Sequence, residues 1–355
     1  MPDGTTPQAR TLRSIEALAS AGLVRAGRAS ALAPVAERYA VAVTPHVAGL
    51  IDRTDPDDPI AAQYIPHPDE AITRPDETAD PIGDDALSPV PGLVHRYPDR
   101  VLIKPLLACP VYCRFCFRRE SVGPDGGVLD EATLERAYAY VRARPAIREA
   151  ILTGGDPLML SARRLGAILR ALDAIGHLEM LRIHTRVPVA DPLLVTPALA
   201  TALATRKPLW LVLHVNHARE LTPAAVAALD RIRSAGVPLL AQSVLLAGVN
   251  DSEAALEALF RALIAARVKP QYLHHLDRAP GTARFRVPLA RGRALMRALR
   301  GWVPGHALPT YVVDIPGGHG KVPVAESHAE AGAGGWVLTA PDGARHRLAD
   351  AEESG

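Results

Sequence analysis

The sequence predicts an α/β protein built on an incomplete (β/α)6 barrel, and three observations carry that reading. From about residue 94, short apolar runs alternate with amphipathic stretches. Six such pairs are countable, fewer than the eight of a closed barrel. Polar and glycine motifs stand at the carboxyl ends of the runs, where parallel β/α folds bind their ligands. A doubly wound open sheet is the alternative architecture.

Residues 1–93 read as an N-terminal helical and irregular extension. Thr11 to Val43 is rich in alanine, leucine and arginine and predicts helix, with a break at Pro34. Ile51 to Pro91 is rich in proline and aspartate. It predicts an irregular segment with short helices, packed on the main domain, with a flexible linker as the other reading. The barrel itself is expected over 94–304. Its strands are expected at Val101–Ala108, Ala150–Thr153, Met180–His184, Leu209–Val215, Leu239–Leu246 and Gln271–Leu276. Helices are expected near Asp130–Arg142, Ala162–Ala174, Pro197–Leu203, Pro223–Ala235 and Glu253–Ala266. Residues 305–355 form a short C-terminal segment. In it Gly335–Leu338 and His346–Leu348 flank Pro341-Asp342-Gly343, the pattern of a small hairpin.

Composition narrows the function. Hydrophobic residues make up 48% of the chain, enough for a substantial core. The formal charge is +2 with no basic block, so neither nucleic acid nor an anionic membrane is an expected partner. Met1 to Arg10 lacks the apolar run of a secretory signal, and no long apolar stretch free of charge predicts a membrane span. The three cysteines are clustered, which fits a reducing, cytoplasmic location better than a disulfide framework.

Those cysteines carry the strongest chemical signal. They read Cys109-Pro-Val-Tyr-Cys113-Arg-Phe-Cys116, directly after the first expected strand. Thiolates suit iron–sulfur clusters, and four irons normally take four ligands. Three cysteines therefore leave one iron open to another molecule. Structural zinc, completed by a histidine, is the other reading of the same residues.

A second signal lies near the C-terminal end, in Asp314-Ile-Pro-Gly-Gly-His-Gly-Lys321. It fails as a phosphate loop, because Ile315 stands where the first glycine belongs and Val322 replaces Ser/Thr. A lysine on a glycine loop suits imine formation with an aldehyde such as pyridoxal phosphate. Only four lysines exist. Lys104 lies inside the first strand. Lys207 and Lys269 precede prolines at strand starts, away from the carboxyl ends. Lys321 remains, with a solvated surface lysine as the plain alternative.

The cysteine spacing, with Thr153-Gly154-Gly155-Asp156 at the second strand's end, resembles the radical S-adenosylmethionine superfamily. Longer anchors resemble the lysine 2,3-aminomutase family within it. They are Ser88 through Arg100, the cysteine segment through Arg119, Leu152–Pro157, Gln242–Asp251 and Asp314–Lys321. The resemblance implies a 4Fe-4S cluster on Cys109, Cys113 and Cys116, with S-adenosylmethionine (SAM) on the open iron. Gly154, Gly155 and Asp156 would lie at its methionine amine, and His214 and Gln242 beside it. Lys321 would carry pyridoxal 5′-phosphate, with Arg96, Tyr97 and Arg100 around it. Arg118 would clamp the substrate carboxylate, and the Asp277/Asp314 pair would receive a side-chain ammonium.

The implied enzyme is an isomerase that converts L-lysine to β-lysine, fed by a one-electron reductant such as flavodoxin or ferredoxin. Related readings are an aminomutase making (R)-β-lysine for elongation factor P, and a 2,3-aminomutase for another amino acid. A non-catalytic metal-binding module is the reading from a different class. Long family members carry extra cysteines for an assembly zinc. This chain has none outside the motif, which leaves a homodimer possible and puts the tetramer in doubt. His319 stands where the family commonly has glycine.

Overall fold

The computed structural model describes residues 10–123, 125–332 and 334–349. The first nine residues, which were expected to lack a secretory signal, lie outside the described residues.

Side-chain caps set the helix starts of the extension. Ser14 Oγ accepts from the Ala17 N–H at 3.1 Å and opens α1 (Ile15–Ser20). Helix α2 (Ala29–Arg38) contains Pro34 in its interior, so the expected break at that residue is not there. Pro34 faces solvent, where the carbonyl that loses its donor can bind water. The helical stretch breaks earlier, around Gly22, whose φ of +69° suits glycine. Thr44 and Asp58 cap α3 (Pro45–Leu50) and α4 (Pro59–Tyr64), each with proline in the first turn. Leu18, Leu32, Val47, Ile60 and Tyr64 bury together against Val111 and Ala190. The extension therefore packs directly on the loop that carries the cysteines.

A hairpin of β1 (Leu93–Tyr97) and β2 (Arg100–Leu106) begins the main sheet. Parallel strands follow in chain order: β3 (Glu149–Gly154), β4 (Met180–Thr185), β5 (Leu209–His214), β6 (Leu239–Val244), β7 (Lys269–His274) and β8 (Thr310–Asp314). Strand β9 (Lys321–Pro323) returns antiparallel to β8. The six expected strands are β2 to β7, and β8 is a seventh. No pairing joins β1 to β9, so the barrel is incomplete. The sheet still curls enough for its edges to meet through side chains. The Lys321 N–H donates to Tyr97 Oη at 2.8 Å, and Arg96 lies 3.7 Å from Asp314.

Among the described residues seven α-helices connect the parallel strands: α5 (Glu131–Arg142), α6 (Ala162–Asp173), α7 (Val187–Ala190), α8 (Pro197–Ala202), α9 (Pro223–Ser234), α10 (Glu253–Ala265) and α11 (Leu289–Leu299). Five were expected; α7 and α11 were not. Alternation along each strand does two jobs at once. Ile103, Ile183, Leu213 and Leu273 face outward and bury with Leu165, Leu229 and Leu256. Each fully buried side chain of this size contributes about 1.5–3 kcal/mol. The alternate residues, Lys104, His184, His214 and His274, then face the lumen.

The C-terminal segment holds a separate three-stranded sheet of β10 (Ala329–Gly332), β11 (Gly335–Thr339) and β12 (Arg345–Ala349). The expected hairpin is β11–β12, with β10 added beside it. Among the described residues no helix is long and apolar enough to cross a membrane.

Candidate active site

The cysteine loop leaves β2 at the carboxyl end of the sheet. Cys109, Cys113 and Cys116 are free thiols. Burial pushes all three up from the ordinary thiol value, Cys113 to about 11. Metal must therefore displace their protons. Phe115, Leu246, Val249, Leu276 and Phe285 form an apolar shell beside Cys113. Half-buried soft donors beside an apolar shell fit an iron–sulfur cluster. Among the described residues no three His, Cys, Asp or Glu side chains gather as a single ion requires. Thiolates on separate irons of a cluster stand farther apart than ligands of one ion.

Glu70 anchors this loop, and no local motif marks it. Its fully buried carboxylate accepts from Arg114 Nε at 2.9 Å, Arg114 Nη2 at 2.6 Å and Arg119 Nη2 at 2.5 Å. Burial opposes its ionisation, yet the two guanidiniums hold the carboxyl below its usual range.

The glycines of the second strand end serve close backbone approach. A Cβ on Gly155 would lie 2.2 Å from the Ala108 carbonyl oxygen. One on Gly154, at φ +103°, would lie 2.8 Å from that of Leu106. Both therefore press on the segment that delivers Cys109. Asp156, expected at the methionine amine, has internal donors in this structure. It accepts from Thr185 Oγ1 at 2.6 Å and from the N–H groups of Arg186 (2.6 Å), Val187 (3.0 Å) and Leu158 (3.1 Å). It ties β3 to the start of α7.

His214 and Gln242 are register partners on β5 and β6. Burial pushes the His214 imidazole well below its usual pKa, and its Nε2 is buried without a partner. His184 and His274, also facing the lumen, have unpartnered Nε2 atoms too. Such buried nitrogens suit polar atoms of a bound molecule.

Lys321 closes the site. Its Nζ lies 2.5 Å from Asp314 Oδ2, 3.3 Å from His274 Nδ1 and 5.6 Å from the Tyr272 ring centre. Burial lowers its pKa, against the pull of Asp314. Asp314 itself is held well below the carboxylate range by His274 and Lys321, in spite of burial. Asp277 behaves oppositely: burial, then the charge of Asp314, push it up to about 7. The expected acidic pair is thus close enough for the charge of Asp314 to oppose ionisation of Asp277. Buried Arg96 Nε has no partner, which suits an anionic group beside Lys321. Arg100 stays outside, 36% exposed, and reaches the lysine only through the Tyr97 ring 4.1 Å away. His319 is exposed on the loop.

Asp84 is the residue here that sequence reasoning missed. Arg96 Nη2 (3.0 Å), Arg118 Nε (2.9 Å) and Arg118 Nη2 (2.8 Å) converge on its carboxylate, with Lys104 Nζ at 4.0 Å. The acidic turn Asp80-Pro-Ile-Gly-Asp84-Asp85, just before the anchor at Ser88, was the available signal. A carboxylate on Arg118 and an ammonium on Asp314 mark the two ends of the site.

A partial parallel barrel with a three-cysteine loop at its carboxyl end defines a radical SAM enzyme. The chain matches the model of the Radical SAM superfamily over residues 103–259. It is 40% identical over 288 residues to L-lysine 2,3-aminomutase of Acetoanaerobium sticklandii, covering 81% of this chain and 70% of the relative. Identity to L-lysine 2,3-aminomutase of Clostridium subterminale is 41%, covering 81% and 69%. Glutamate 2,3-aminomutase of Clostridioides difficile is 34% identical, covering 82% and 68%. The chain belongs to the lysine 2,3-aminomutase family of isomerases. Its cofactors are a 4Fe-4S cluster, SAM and pyridoxal 5′-phosphate.

Proposed function

We propose that this chain converts L-lysine to β-lysine by moving the α-amino group to the β-carbon. The observation that carries the reading is the charge layout of the site. Asp314 already takes an alkylammonium, that of Lys321, with Asp277 strained toward neutrality beside it. Arg118 stands at the other end, holding a carboxylate. A substrate with a carboxylate at one end and an ammonium at the other replaces both internal partners. An anionic side chain, as in glutamate, would instead face two aspartates.

Each residue then has a task. Cys109, Cys113 and Cys116 hold the cluster, and Gly154, Gly155 and Asp156 shape the strand end beside it. His214 and Gln242 face SAM. Lys321 binds pyridoxal phosphate, with Arg96 and Tyr97 at its polar groups and Arg100 behind Tyr97. Arg118 clamps the substrate carboxylate through paired N–H donors. Asp277 and Asp314 fix the far ammonium, which sets the β-carbon's position. When bound, SAM on the reduced cluster supplies a hydrogen-abstracting adenosyl radical, and pyridoxal phosphate supplies the carbonyl that holds the migrating amine. The buried lumen excludes water and holds the reacting groups in register. A one-electron reductant such as flavodoxin or ferredoxin feeds the cluster.

Chiral amino-acid analysis after anaerobic turnover tests the reading. L-Lysine is expected to give β-lysine, and L-glutamate no product. The enantiomer formed separates the free-lysine enzyme from one supplying elongation factor P. A colourless protein without iron or an imine absorbance would sink the enzyme assignment.

A further inference from the structure

Arg186 is the first residue past β4 and is 5% exposed. Its Nη2 donates to Gln63 Oε1 at 2.7 Å and to Glu220 Oε2 at 2.6 Å. Its guanidinium carbon lies 5.0 Å from the Tyr64 ring centre and 5.3 Å from that of Phe115. These contacts fix the group, and its Nη1 faces Cys113 Sγ at 3.5 Å. Asn216 and Tyr64 brace the same network, through Gln63 and Glu220. A permanently charged fork is thus held against one sulfur of the cysteine motif.

We propose that Arg186 is a positioning residue that hydrogen-bonds the Cys113 sulfur of the loaded cluster and raises the cluster's reduction potential. The inference rests on the cluster assignment above. Reduction adds one electron from the external reductant, so the cluster becomes more negative. An N–H···S bond and a fixed positive charge stabilise the more negative state, and do so strongly in a buried site. Arg186 therefore sets how easily the cluster is charged, without touching the substrate.

The test is the midpoint potential of the reconstituted cluster, read by EPR-monitored redox titration without SAM. Wild type, Arg186→Lys and Arg186→Met are compared, each with its iron and sulfide content. Arg186→Met leaves Glu220 buried and unpaired, so the double variant R186M/E220Q is included. The midpoint is expected to move negative in R186M and in R186M/E220Q. Arg186→Lys, which keeps the charge but loses the fork, is expected between them and wild type. A full iron content with an unchanged midpoint would overturn the proposal. So would an unchanged midpoint with weakened SAM binding, which would make Arg186 a SAM ligand. Loss of the cluster from all three variants would make it an assembly residue and overturn the proposal as well. A wild-type protein with no cluster would instead refute the assignment beneath it.

Discussion

Raising the pH from 6 to 8 should tighten the hold on a cationic side chain about tenfold, with Asp277 as the cause. Asp277 is pushed up to about 7 by burial and by the charge of Asp314. From an ordinary 3.8 that shift corresponds to about 4 kcal/mol against ionisation. With that pKa the carboxyl is about one-tenth ionised at pH 6 and about nine-tenths ionised at pH 8. The sign follows from linkage. A cation favours the ionised form, so affinity rises with pH through 7, and binding below 7 releases a proton. The assay is KM for L-lysine across this range, for wild type and Asp277→Asn. The α-amine of lysine titrates equally for both proteins, so the ratio of their KM values isolates Asp277. Calorimetry in two buffers of different ionisation heat counts the released proton. A KM ratio constant from pH 6 to 8, with no proton released, would refute the reasoning.

Three further outcomes are expected. Lys321→Ala removes the imine absorbance and the activity while leaving iron content intact; a retained imine band would place pyridoxal phosphate on another lysine. Gly155→Ala drives a methyl into the Ala108 carbonyl, 2.2 Å from the ideal Cβ position, and displaces the cysteine loop. Its iron content after reconstitution should fall, and full iron loading would contradict that role. Glu70→Ala leaves Arg114 and Arg119 buried without their carboxylate and should cost about 3–5 kcal/mol. Urea denaturation measures it, and an unchanged midpoint would show the network to be dispensable.

Much of the fold was legible because parallel strands buried on both faces leave dense apolar runs, as in Leu209–His214. Asp130, Ser161 and Thr222 accept from the backbone as caps and set helix starts close to the expected ones. Strand β8 escaped because it is five residues long and abuts the glycine loop. Helix α11 escaped because Gly292 stands in its buried stripe and three arginines lie off it, which leaves a short and dilute apolar signal. Pro34 misled because its cost depends on exposure, which the chain alone does not state. In the site, motifs held close in sequence were readable, and partners distant in sequence were not. Glu70 lies 44 residues from Arg114, and Gln63 lies 123 from Arg186. Nothing local marks such pairs. Asp156, expected at the methionine amine of SAM, is also engaged by four donors from beyond its own strand, which no local pattern announces.

Hydrogen transfer from substrate tests the central claim most directly. L-Lysine deuterated at the β-carbon is turned over with reductant, SAM and pyridoxal phosphate, and the nucleoside and amino-acid products are analysed by mass spectrometry. The account predicts deuterium in the methyl group of 5′-deoxyadenosine and at the α-carbon of β-lysine. β-Lysine formed without label in the nucleoside, or no β-lysine from a fully loaded protein, would contradict it.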